Sequence, residues 1–226
     1  MKKRIAAVIF DLDETLLDRS ASIRAFIEEQ YVRFLPQLAH IPRERFENSF
    51  LALDGFGYTP RQEVYEQLVD ELDVAVTAAQ FVVDFRENGW RTCLLFPRTR
   101  ELLQKLRSNG YRTAIITNGS THSQQAKMER TGLATLVDEV LISEKEGIRK
   151  PDPKIFYRAC ERLCVEPSAC LFVGDHPEAD ISGAQTVGMR TVWRKGHLPW
   201  PQDFHLQPDY SIDEISELVE FRLFGL

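Results

Sequence analysis

Two carboxylates set two residues apart, Asp11 and Asp13, close an unbroken apolar run over residues 5–10. The run is rich in branched side chains and too short for a helix, so it reads as a fully buried strand of a parallel sheet. Such a strand delivers Asp11 to the carboxyl-terminal edge, where open α/β sheets bind their ligands. On extended chain, acids at i and i+2 point the same way, and a close pair of them requires a cation or a shared proton. The pair suits a metal ion and chemistry on a phosphate. The alternative is a strand end followed by an acid-rich turn, with no chemistry at all. Later apolar runs also end in polar groups: Thr117 and Asn118 after residues 112–116, and Asp175 after residues 170–173. Lys150 lies on the loop after a strand over 137–142, and Asp180 one turn into the helix after Asp175.

The elements that must position these groups alternate. From Pro97 onward, helical stripes such as Leu102, Leu103 and Leu106, or Ile155, Phe156, Ala159, Cys160 and Leu163, separate the short apolar strands. That order predicts an α/β fold: a three-layer, Rossmann-like core with a mostly parallel sheet. All the polar strand ends then fall on one edge. Residues 19–92 break the alternation. Ile23, Phe26, Ile27, Phe34 and Leu35 form one helical stripe, Phe46, Phe50 and Leu53 a second, and Val64, Leu68 and Leu72 a third. Thr59-Pro60-Arg61-Gln62 and Thr77-Ala78-Ala79-Gln80 both read as capping boxes. Four helices without a strand predict a helical cap domain, 19–92, inserted into a core formed by 1–18 and 93–226. After a loop over 196–208, a last helix passes through Ile215, Leu218 and Val219.

Composition narrows the partners. A chain of 226 residues with 43% hydrophobic and 27% charged content is that of a soluble globular protein. Its net charge of −6 argues against a nucleic-acid polymer. Met1-Lys2-Lys3-Arg4 precedes an apolar run too short for a signal peptide, and no segment is long enough to span a membrane. Cys93, Cys160, Cys164 and Cys170 form no metal-type pair and read as buried thiols, which fits a cytoplasmic setting. His176 reads as a loop residue, and the cap aromatics Phe56, Tyr58 and Trp90 as core packing. Oligomeric state is not encoded in any motif.

Asp11-Leu12-Asp13-Glu14-Thr15, Thr117-Asn118-Gly119, Lys150-Pro151-Asp152-Pro153 and Gly174-Asp175 with Asp180 together resemble the four signature motifs of the haloacid dehalogenase superfamily, in order and on matching elements. The resemblance covers nearly the whole chain. Members that cleave carbon–halogen bonds lack the second acid of the first motif, so Asp13 points to phosphate chemistry. Glu14 stands where many relatives have glycine, which looks like the nucleotide- and acylneuraminate-phosphate phosphatase branch.

The resemblance implies a Mg2+-dependent phosphatase of a small phosphorylated metabolite, a nucleotide or a sugar phosphate. In that reading Asp11 is the nucleophile that forms an aspartyl-phosphate. Asp13 is the general acid, then the base for water. Asp11, Asp175 and the Asp13 backbone carbonyl are the Mg2+ ligands. Lys150 offsets the charge of the nucleophile and the phosphoryl oxygens, and Thr117 with the Asn118 N–H binds the phosphoryl group. Asp180 supports Lys150 or a water on the metal. Two rival readings remain. One is a phosphomutase on the same fold. The other is a non-catalytic phospho-accepting regulatory domain, which needs neither an acid like Asp13 nor a cap.

Overall fold

The chain alternates strand and helix except for one run of helices, and its architecture was taken from a computed structural model that describes residues 4–196, 198–202 and 204–220. Met1 to Lys3 of the basic amino terminus, His197 and Phe221 to Leu226 of the expected core lie outside the described residues. The opening strand, β1 (Ala7–Phe10), is buried on both faces, as its unbroken apolar run requires. A two-residue strand, β2 (Leu17–Asp18), leads into five helices: α1 (Arg19–Arg33), α2 (Leu35–Leu38), α3 (Arg43–Asp54), α4 (Arg61–Leu72) and α5 (Ala78–Asn88). The rest mostly alternates: β3 (Leu94–Leu95), α6 (Thr99–Ser108), β4 (Arg112–Thr117), α7 (Thr121–Thr131), β5 (Glu139–Ile142), the short α8 (Ser143–Glu146) followed by α9 (Pro153–Leu163), β6 (Cys170–Gly174), α10 (Gly183–Thr186), and then β7 (Arg190–Arg194) and β8 (Tyr210–Ile212).

Six of these strands form one sheet in the order β5-β4-β1-β6-β7-β8. Every pairing within it is parallel. Phe10 is level with Ile115 of β4 and Val173 of β6, so β1 lies at the centre and its carboxyl end meets theirs. From β1 the chain winds outward through β4 and β5, then crosses back to β6 on the other side. The crevice at such a reversal is where ligands of open sheets bind. On one face of the sheet, Ala7, Ile9, Ala114, Ile116, Cys170 and Phe172 pack with Ile155, Phe156, Ala159, Leu163 and Ala184 from α9 and α10. On β4, α6 also packs through Leu102, Leu103 and Leu106, all fully buried.

The chain divides into two compact units: Met1–Asp18 with Leu95–Leu226, and Arg19–Leu94. The second is helical and has its own core of Phe26, Phe46, Phe50, Tyr65, Leu68 and Phe81. Several of its buried polar side chains find partners within it. Gln30 donates to Asp84 (2.9 Å) and accepts from the Tyr65 hydroxyl (2.8 Å), while Arg33 clamps Asp84 at 2.7 and 2.8 Å. Asp54 pairs with Arg19 and Arg61.

Several local expectations fail for identifiable reasons. The first stripe is broken at Phe34, because Pro36 disrupts continuation and a separate turn, α2, begins at Leu35. The box at Thr77 forms as read, but that at Thr59 does not: Pro60 is the N-cap, α4 starts at Arg61, and no side chain caps it. Phe56 and Tyr58 are exposed rather than packed, on a turn where Phe56 takes a left-handed conformation. The tail carries an unforeseen strand, β8, and then a 3-10 helix, Ile215–Glu220. Among the described residues, no helix is long and apolar enough to cross a membrane.

Candidate active site

The parallel register carries the polar residues of the first, second and fourth motifs to one edge. Asp11 extends β1 by one step, its N–H donating to the Val173 carbonyl at 2.9 Å. Asp175 follows β6 directly, and Thr117 is the last residue of β4. Asp180 comes from a π-helical turn, Pro177–Ser182, wound tightly against the strand end. That approach requires glycine at 174: a Cβ there would lie within 2.5 Å of Asp180 side-chain carbons. His176 caps the same turn, its Nδ1 accepting from the N–H groups of Glu178 and Ala179, so it is a structural loop residue.

Lys150 arrives from the loop before α9. Its ammonium is almost fully buried and donates to Asp11 and, at 2.7 Å, to Asp180. Asn118 fixes the Lys150 backbone by a reciprocal pair: Asn118 Nδ2 donates to the Lys150 carbonyl and the Lys150 N–H to Asn118 Oδ1, each at 3.0 Å. The second and third motifs are thus one hydrogen-bonded unit.

Asp11, Asp175 and Asp180 are all buried, and one carboxylate oxygen from each lies within 4.8 Å of the others. Burial pushes Asp11 up to about 7 against the opposing pull of Lys150, with Asp180 adding to the rise. Burial, then Asp180 and Asp11, raises Asp175 well above the usual carboxylate range. For Lys150 burial acts the other way, but the Asp11 and Asp180 carboxylates outweigh it and hold the ammonium above the lysine norm. Three buried acids against one lysine leave a site short of positive charge. Its donors are hard oxygens, so the residues present fit a Mg2+ ion.

Asp13 departs from the simplest expectation. Its carboxylate does not join that cluster; it accepts from Lys127 at 2.8 Å on both oxygens and from Gln124 at 2.9 Å. Gln124 also donates to the Thr117 hydroxyl. Neither Gln124 nor Lys127 was singled out in the sequence. The available signal was their three-residue spacing on the helix that opens just after the second motif. A second omission is Arg194. It donates to the Glu14 carbonyl at 2.7 Å and stacks 3.8 Å from the Phe96 ring, while Glu14 sits at φ 58, a conformation that favours glycine.

The pattern describing haloacid dehalogenase-like hydrolases matches residues 5–188. The chain belongs to that family, and it is a hydrolase. A glyceraldehyde 3-phosphate phosphatase of Pyrococcus furiosus is 30% identical over 96% of this chain and 93% of its own. Among solved structures, an HAD phosphatase from Thermococcus onnurineus is 28% identical, with a TM-score of 0.64 over 96% of this chain and 97% of its own. A 2-haloacid dehalogenase from Pseudomonas syringae pv. Tomato DC3000 is equally distant, at 28% identity and a TM-score of 0.63, again over 96% and 97%. Likeness to solved structures therefore does not by itself separate the two chemistries, whereas the P. furiosus relative and other curated relatives that match along most of the chain are phosphatases.

Proposed function

We propose that the chain is a Mg2+-dependent phosphatase of a small phosphomonoester that works through an aspartyl-phosphate. The observation that carries the reading is the division of the first motif. Asp11 faces Lys150 and two further acids, while Asp13 is held apart on a lysine of its own. Asp11, Asp175 and the Asp13 carbonyl would hold the ion, with Asp180 supporting Lys150. Bound there, Mg2+ supplies the positive charge that lets a carboxylate approach a phosphate dianion.

Asp11 attacks phosphorus in line as the ester P–O bond breaks, and Asp13 gives its proton to the leaving oxygen. Asp13 then takes a proton from the water that cleaves the aspartyl-phosphate, which releases inorganic phosphate. The Thr117 hydroxyl and the Asn118 N–H bind the transferring group. Lys150 stays charged throughout, held in place by Asp180. The presence of Asp13 favours this over dehalogenation, which has no leaving oxygen to protonate.

Residues 19–94 act as a cap that selects the substrate. The P. furiosus relative favours a short phosphorylated sugar as the substrate class. The four free cysteines suit a reducing, cytoplasmic setting. With Mg2+, the protein should release phosphate from p-nitrophenyl phosphate and from members of a panel of triose, pentose and nucleoside monophosphates. Chelation should stop turnover, and Asp11→Asn should lower it by at least ~10³-fold, the scale of losing a nucleophile. Turnover that survives either treatment sinks the assignment. Isomerisation of a sugar phosphate without net phosphate release would favour a mutase instead.

A further inference from the structure

Each aspartate of the first motif has its own lysine. Asp11 pairs with Lys150, which is buried, and Asp13 pairs with Lys127 on α7. Lys127 reaches both Asp13 oxygens at 2.8 Å, with 18% of its side chain exposed against 22% for Asp13. One turn earlier, Gln124 is 2% exposed and spends its amide on two catalytic groups, donating to Asp13 Oδ2 and to the Thr117 hydroxyl. Residues three apart share a helix face, so a single face of α7 grips the first and second motifs together.

The backbone is shaped to let that grip form. A Cβ on Gly119 would sit 3.0 Å from Gln124 Cγ and 3.1 Å from Cδ, so the glycine of the second motif leaves the space through which Gln124 reaches. The α7 helix is fixed at its start, Ser120 accepting from the Ser123 N–H and Glu144 from the Thr121 N–H at 2.7 Å. A partly exposed lysine–aspartate pair contributes little to stability. Its geometry matters more: acids at i and i+2 would otherwise converge on the same cation, and here the second is drawn off toward α7.

We propose that Gln124 and Lys127 are positioning residues for Asp13, which hold its carboxylate apart from the three-acid cluster and aimed at the ester's leaving oxygen. The inference rests on the phosphatase reading above and adds residues to it. Proton transfer remains with Asp13: its proton goes to the departing alkoxide in the first step and is replaced from the attacking water in the second. Lys127 transfers nothing and sets the direction of the transfer.

Leaving-group dependence tests this, because only a poor leaving group needs the acid. For each variant, kcat/KM, which reports the first step, is measured with glycerol phosphate and with p-nitrophenyl phosphate. General acid catalysis contributes ~10²–10⁴-fold, so Lys127→Met should lower the alkyl value by ~10²-fold or more and the aryl value only severalfold. Lys127→Arg should restore most of the alkyl activity, while Gln124→Leu, which also releases the Thr117 hydroxyl, should lower both values and the alkyl one more. Equal losses on both esters would assign Lys127 to phosphate binding and overturn the proposal. So would unchanged kinetics. Thermal melting checks that each variant is folded, and if the methionine variant is not, Lys127→Gln and Lys127→Arg carry the comparison. A wild type that hydrolyses neither ester with Mg2+ present overturns the phosphatase reading itself, and this inference with it.

Discussion

Burial forces Asp11 up to about 7, and the sign of that shift sets how metal and proton compete. Its ordinary value is 3.8, so between about pH 4 and pH 7 the folded, metal-free protein holds a proton that the unfolded chain has lost. That group therefore favours folding at low pH, and its contribution disappears as pH rises through 7. A divalent cation must displace the proton below 7 and need not above it. Mg2+ affinity should accordingly climb with pH as Asp11, and with it the likewise raised Asp175, gives up its proton. Calorimetry in buffers of different ionisation enthalpy should show more protons released on binding at pH 6 than at pH 8; equal release at both would contradict the assignment of Asp11 to the metal. Glu14 carries a residue-scale lesson of another kind. Its place as a departure from glycine is plain in the sequence, but its left-handed backbone and its arginine, 180 residues away, are not.

At the scale of elements, two threonines that look alike in sequence behave differently. Thr77 forms both halves of a capping box with Gln80, whereas the hydroxyl of Thr59 lies near Gly55 and caps nothing. Thr77→Ala should cost ~1 kcal/mol of stability, the usual worth of an N-cap, and Thr59→Ala a few tenths. Urea denaturation of the two variants distinguishes them, and equal losses would mean that Thr59 caps α4 after all. The central strands were legible because each is a continuous apolar run buried on both faces, and Asp11, Thr117 and Asp175 because they stand where such runs end. Lys150, on a loop, and Asp180, in a helical turn, were legible only as part of the four-motif pattern. The edge strand β8 was not legible. Of its three residues only Ile212 is buried, and its register depends on Asp209, whose carboxylate accepts from the Thr191 N–H at 3.0 Å. Asp138 does the same for Thr113 at the opposite edge, at 2.8 Å. Such contacts join residues distant in the chain and leave no local pattern. The α7 grip escaped notice similarly: Gln124 and Lys127 are ordinary helix residues until the fold brings Asp13 beside them.

At the scale of the whole molecule, the clustered buried carboxylates of the site all belong to one of the two units. Asp11, Asp175 and Asp180 lie in the unit formed by Met1–Asp18 and Leu95–Leu226. The helical unit, Arg19–Leu94, has an aromatic core of its own, and Gln30, Arg33, Asp54, Tyr65 and Asp84 find polar partners within it. A ligand stabilises what it binds by mass action, by about 2.7 kcal/mol when present at 100 times its dissociation constant. Units with separate cores need not share that gain. Hydrogen exchange with saturating Mg2+ should therefore slow the buried amides of β1, β4 and β6 by up to ~100-fold, the same energy expressed as a rate. Amides in α1, α3, α4 and α5 should exchange as they do without metal. Chelation should reverse the protection, and Asp175→Asn should abolish it at the same Mg2+ concentration. Equal protection in both units would show that they unfold together, and that the two cores are one cooperative structure despite their separate packing.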